Sequence, residues 1–239
     1  MRRAVVLLLL LAGASAARAG EGVYITLDGG YAVWNKDTLK KNLNTQVGPT
    51  NAALLVDNQM PDGGVFALRL GYNLGGHVAF EGSFAIHPWS VLGNDRGAVG
   101  LMGLGTRWFP LQGLVKPNRQ IDFSLLAGID YFLHGGNGVP CSNDPTQCPA
   151  NASATDQTPN SGRGLDGMAF EVGGTFELYP AKWVSLGVTP RWYNLHPLRY
   201  FTDYNRRDTG GQLPLQGNVG GSLVSITLSV TFHFEPLPD

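Results

Sequence analysis

The segment Ser222-Leu223-Val224-Ser225-Ile226-Thr227-Leu228-Ser229-Val230-Thr231-Phe232-His233-Phe234 decides the fold. Val224, Ile226, Leu228, Val230, Phe232 and Phe234 share one parity, and Ser225, Thr227, Ser229, Thr231 and His233 share the other. Successive side chains of a strand point to opposite faces, so the segment has one apolar face and one wet face. Strict alternation over this length is a strand period and not a helical one. The segment is also close to the length a tilted strand needs to cross a bilayer, roughly 9–11 residues.

The same alternation recurs upstream and predicts strands over 23–34, 64–73, 77–89, 98–109, 121–133, 167–179 and 183–193. With 222–234 these make eight antiparallel strands in an up-and-down meander, an all-β transmembrane β-barrel. The charged residues inside the strands are Asp28, Arg69, Glu81, Arg107, Asp122, Asp130, Glu171, Glu177 and Arg191, and all fall on the less apolar parity. A basic residue facing lipid near the bilayer midplane would cost roughly 2–4 kcal/mol, so this parity faces the lumen. The lumen of an eight-stranded barrel is just wide enough for side chains to fill it. Unpaired charges are costly in such an interior, so these nine residues read as an ion-pair network that plugs the barrel. Their acidic excess leaves a narrow cation-preferring pore as the alternative.

Connections are read as longer after strands 1, 3, 5 and 7 and shorter after 2, 4 and 6, which sends the long loops (about 35–63, 134–166 and 194–221) to one side. Leu74-Gly75-Gly76 and Pro180-Ala181-Lys182 are tight turns. Within the first loop, Ala53-Leu54-Leu55-Val56 reads as a strand extension. Tyr24, Trp34, Tyr72, Trp89, Trp108, Tyr179, Trp183, Trp192 and Phe234 gather near strand ends, where two interfacial aromatic girdles would sit. A soluble lipocalin-type barrel shares this parity turned inside out, with the apolar face lining a ligand pocket. Eight long strands carry too many aromatics and aliphatics for so small a lumen.

The N-terminus places Arg2 and Arg3 before an apolar run and ends on Ala17-Arg18-Ala19, the pattern of a signal peptide over 1–19. The barrel domain is then 20–239. The full chain carries 17 Lys and Arg against 18 Asp and Glu; removal of Arg2, Arg3 and Arg18 takes the net charge from −1 to −4. No basic excess remains to suggest nucleic acid. After residue 19 no apolar run is long enough for a transmembrane helix. Cys141 and Cys148 lie close together in a loop, and in an exported chain they read as one disulfide. Two cysteines alone do not make a zinc site, and neither metal nor cofactor is indicated.

Ser83 and His87 share a face but read as hydrogen-bonded lumen filling, and no Gly-x-Ser-x-Gly, His-Glu-x-x-His or phosphate loop occurs, so no catalytic residues are assigned. In the last loop Arg199, Arg206 and Arg207 accompany Tyr200 and Phe201, a combination suited to lipopolysaccharide phosphates.

Gly22-Val23-Tyr24-Ile25 through Gly29-Gly30-Tyr31 resembles the opening strand of the OmpA-like/OmpW-like outer-membrane β-barrel proteins. Val230-Thr231-Phe232-His233-Phe234 resembles the C-terminal signal read by the outer-membrane assembly machinery, which points to Phe232 and Phe234. One departure is Glu235-Pro236-Leu237-Pro238-Asp239, which follows where many relatives end on the aromatic. The resemblance implies a Gram-negative-type outer-membrane location, contact with outer-membrane lipids and a monomer. It also implies two other functions to weigh: a narrow channel for small hydrophobic or cationic solutes, as in the OmpW-like group, and a lipid-modifying enzyme, as some eight-stranded barrels are. No peptidoglycan-binding domain is expected after the barrel.

Overall fold

The computed structural model describes residues 22–59, 62–74, 77–87, 98–110, 121–135, 164–181, 183–201, 212–217 and 219–234. Segment 1–19, Cys141, Cys148, Arg206, Arg207 and Trp89 lie outside them. The strands are β1 (Gly22–Asn35), β2 (Gly63–Leu74), β3 (Val78–His87), β4 (Ala98–Trp108), β5 (Ile121–Gly135), β6 (Gly164–Ala181), β7 (Val184–Phe201), β8 (Gln212–Pro214) and β9 (Gly221–His233). Each of β1 to β7 pairs antiparallel with the next, β7 pairs with β9, and β9 returns to β1. The result is a closed eight-stranded antiparallel barrel, as expected; β8 is a three-residue strand hung on the end of β7. The closing seam runs from Tyr24↔His233 to Asn35↔Ser222, so Gly22 and His233 share one end, here called the terminal end.

The parity holds. Leu104, Leu228, Ile226 and Leu70 project outward and are 76%, 68%, 58% and 56% exposed, while Ser225, Thr227, Ser229 and Thr231 of the deciding strand are buried inside. Two details differ from expectation. The connection after β4 (109–120) is longer than the one after β3 (88–97); Pro110, which has no N–H to donate to a strand ladder, stands just past the end of β4. Further, β6 and β7 climb well past 167–179 and 183–193, taking in parts of the two long loops. They do so through a bulge in which Asp166 pairs with Arg199 and Gly167 with Pro197, skipping Leu198. A Cβ on residue 167 would sit 2.2 Å from the His196 carbonyl oxygen, so only glycine permits this approach. Beyond the bulge the parity flips, which turns Tyr200 inward and Arg199 outward.

The first connection is not a polar loop with a strand extension. It is two helices, α1 (Lys36–Val47) and α2 (Pro49–Gln59), so 53–56 is helical. Leu39, Leu43 and Val47 recur every fourth residue, and Ala52, Leu55 and Val56 follow a helical spacing too. Gly48, at φ +81, reverses the chain, and Pro49 opens α2 where a missing N–H costs nothing. Leu39, Leu43, Ala52, Leu55 and Val56 are all at most 1% exposed, buried in the loop end of the barrel. Burial of each large aliphatic contributes roughly 1.5–3 kcal/mol, which holds helices too short to be stable alone.

The aromatic girdles are only partly real. Trp108, Trp183, Trp192 and Phe234 face outward, but Tyr24 (3% exposed) and Trp34 (7%) are inside the barrel. Tyr179 also turns inward, donating its phenol to Glu177. A phenol at a strand end is drawn in where a carboxylate can accept its proton, and Trp34 joins the apolar layer under the helices.

Candidate functional site

The lumen divides along its length into two layers of different chemistry. In the terminal half, Arg69 on β2 reaches three acids: Nε lies 2.8 Å from Asp28 Oδ2, Nη2 3.3 Å from Glu171 Oε1 and Nη1 3.9 Å from Glu81 Oε2. Arg107 on β4 joins Glu81 (2.8 Å) to Glu177 (3.2 Å). Arg191 on β7 joins Glu171 (2.9 Å) to Asp28 (3.4 Å). Seven of the nine predicted charges therefore form one continuous set spanning β1, β2, β3, β4, β6 and β7, with all three arginines about 2% exposed. Such pairing is what an interior of low dielectric demands, because an isolated buried charge would cost several kcal/mol.

The remaining two acids sit at its edges. Asp130 Oδ1 accepts the Ser83 hydroxyl at 3.2 Å, while its other oxygen has no hydrogen-bond partner among the described residues. Asp122 accepts the Phe123 backbone N–H at 2.8 Å. Ser83 is thus committed to Asp130, and the side chain of His87 lies outside the described residues.

Tyrosines complete the charge layer. Tyr24 donates to Glu81 Oε1 at 2.6 Å, Tyr193 to Glu171 Oε1 at 3.3 Å and Tyr179 to Glu177 Oε2 at 3.2 Å. Their positions near strand ends masked this role in the sequence, although Tyr24 shares the parity of Asp28, Tyr179 that of Glu177 and Tyr193 that of Arg191. At the rim, His233 Nε2 and Ser185 Oγ are 3.3 Å apart, and Ser185 Oγ lies 3.4 Å from Glu177. Ser185 is 1% exposed. The space left beside Arg69, Glu81, Ser83 and Glu171 is about 10 Å³, which is room for no more than a single water.

In the loop half, the same inward parity turns apolar. Val65, Ala67, Ala85, Val99, Leu101, Phe132, Leu165, Leu195 and Leu223 form one cluster with the buried residues of α1 and α2. Small alanines on β1, β2 and β3 leave the volume that the helix leucines fill. Polar contacts fasten this cap to the wall. Gln46 and Gln216 exchange two hydrogen bonds of 2.7 Å, and Asn42 donates to the Gly220 carbonyl at 3.3 Å. Beside the cap, the Trp34 N–H of β1 donates to Asp62, the residue before β2.

Outside the barrel, Arg199 belongs to β7 rather than to a loop. It is ion-paired with Asp166, which also accepts the Tyr131 hydroxyl at 2.7 Å, and its guanidinium lies 5.7 Å from the Phe201 ring centroid. Its side chain is 48% exposed. Phe232 and Phe234 face outward at the terminal end, 44% and 56% exposed, and the Phe234 N–H still bonds the Val23 carbonyl of β1. Among the described residues no group of three or more His, Cys, Asp or Glu side chains is placed to hold a metal, and no helix is long and apolar enough to cross a membrane.

No protein-family model matches the chain, and no curated protein matches it. Solved structures do. Neisserial surface protein A superposes with a TM-score of 0.50 at 9% identity, over 89% of this chain and 97% of that one. The N-terminal β-barrel domain of OprF from Pseudomonas aeruginosa gives 0.44 at 9% identity (90% and 99% covered). Ail, the attachment invasion locus protein of Yersinia pestis, gives 0.43 at 9% identity (91% and 100% covered). These neighbours are small outer-membrane β-barrels, and the likeness to the first is one of fold.

Proposed function

We propose that this chain is an integral outer-membrane barrel with a closed lumen, non-enzymatic, serving envelope structure or surface interaction. One observation carries the reading: burial is inverted relative to a water-soluble protein. Leucine, isoleucine and phenylalanine cover the outside of every barrel strand, while arginines and carboxylates are packed within. Soluble monomers rarely expose contiguous apolar patches beyond a few hundred Å², so the solvent that suits this face is lipid. Closure of the sheet satisfies every strand edge, which a bilayer requires.

The other parts fit this setting. A signal peptide over 1–19 would deliver the chain, and the outward Phe232 and Phe234 would be available to the assembly machinery. Arg199, half exposed at the loop end, with Arg206 and Arg207, would meet lipopolysaccharide phosphates, although Asp166 already takes part of the Arg199 charge. A Cys141–Cys148 disulfide would staple the third long loop of a monomer. A hydrolytic role finds no support in the Ser185–His233 pair, because the serine is buried. The test is conductance of purified full-length protein in a planar bilayer. A closed lumen gives no steady unitary openings, whereas persistent openings would replace this reading by the narrow-channel one.

A further inference from the structure

We infer that the lumen is closed by two seals in series, the charge layer and the α1–α2 cap, each sufficient alone. The inference rests on the closed-barrel reading and divides its cause. The layers meet at Tyr193 of β7, which packs in the apolar cluster and donates to Glu171 at 3.3 Å; as part of the wall it stays in place when the cap is removed. The charge layer is built entirely on strand residues: Asp28, Arg69, Glu81, Arg107, Glu171, Glu177 and Arg191. The cap is an insert between β1 and β2, tied to the segments that lead into β9 and β2 by Asn42–Gly220, the reciprocal Gln46–Gln216 pair and Lys36–Asp62 at 3.6 Å. Its leucines enter the barrel from the loop end and pack within the apolar cluster. The wall beneath them sets Ala32, Ala67, Ala85 and Ala169 among larger residues such as Leu101, Phe132 and Leu195, so without the helices the loop half would be a blind cup. The charge layer forms the floor of that cup. Removing the cap therefore exposes the floor without breaching it, and thinning the floor leaves the cap in place.

The test uses the full-length protein in planar bilayers, with four versions compared. The cap is removed by replacing residues 38–58 with a glycine–serine linker. The floor is thinned by Arg69→Ser with Glu81→Ser, a charge-neutral pair whose loss still leaves Asp28 and Glu171 beside Arg191 and Glu177 beside Arg107. Folding of each is verified by faster migration of the unboiled sample; if the linker version fails to fold, Leu43→Asp with Leu55→Asp takes its place. The expected result is no steady openings for either change alone and at least a tenfold rise in open-channel events when both are combined. Openings in one single variant as frequent as in the combined one would overturn the series arrangement. So would a silent combined variant that is folded. Openings in the unaltered protein would instead remove the closed-barrel reading itself.

Discussion

Tyr24 on β1 lies across Gly71 on β2: a Cβ at residue 71 would sit 2.1 Å from Tyr24 Cζ. The missing side chain gives the ring its place, and from there the phenol reaches Glu81 at 2.6 Å. A glycine on one strand thus completes the hydrogen bonding of a carboxylate on the strand beyond it. Gly71→Ala is expected to displace the ring and lower stability by about 1–3 kcal/mol through overpacking. The check is the urea midpoint of unfolding, followed by the loss of the fast-migrating folded band. An unchanged midpoint would mean that the ring has another place to go.

Arg107 bridges Glu81 and Glu177 and is 2% exposed. Arg107→Met should cost about 3–5 kcal/mol, since it leaves buried carboxylates short of a counter-charge. Arg107→Met combined with Glu177→Gln should cost less than the sum of the two single changes, because each removes the same interaction. Strict additivity in the unfolding free energies would show that the 3.2 Å pair carries no coupling.

Leu104 is the most exposed large apolar side chain of the barrel wall, at 76%, near the middle of β4. With lipid outside, Leu104→Arg should destabilise the barrel by about 2–4 kcal/mol when folded into vesicles. With water outside, a surface change of this kind would fall within about 0.5 kcal/mol. Equilibrium refolding of the two proteins into vesicles distinguishes these values.

Much of this was legible in the sequence, because a period of two is a local property. Parity alone placed Asp28, Arg69, Glu81, Arg107, Glu171, Glu177 and Arg191 inside, and they are inside. It did not say which of them touch, since that depends on register around a closed sheet. Leu223 held a missed signal. It shares the wet parity of Ser225 and Thr227 yet is apolar and fully buried, as are Leu101, Phe132 and Leu195 on other strands. Apolar residues on the inward face at one end announce something apolar to pack there. Leu39, Leu43 and Val47 at helical spacing announce what it is, but polar neighbours such as Lys40, Lys41 and Asn44 dilute the pattern. Tyr24, Trp34 and Tyr179 failed the girdle expectation for a related reason: nearness to a strand end does not decide which face a ring takes.

At the seam, Phe234 projects outward and its N–H pairs with β1, while Leu237 lies three residues further on, outside the described residues. If Phe234 is part of an assembly signal, Phe234→Ala should lower the amount of protein in outer membranes several-fold, and Leu237→Ala should leave it unchanged. Immunoblots of membrane fractions give the comparison. Equal levels of the two variants would remove the signal role and leave the barrel untouched.

We attribute the inverted burial of this chain to lipid around a closed barrel. The most direct measurement is gel migration of the protein in an outer-membrane fraction, boiled and unboiled. A closed barrel embedded in lipid should remain with the membrane pellet and run faster unboiled than boiled. Identical migration, with the protein recovered in the soluble fraction, would contradict the account.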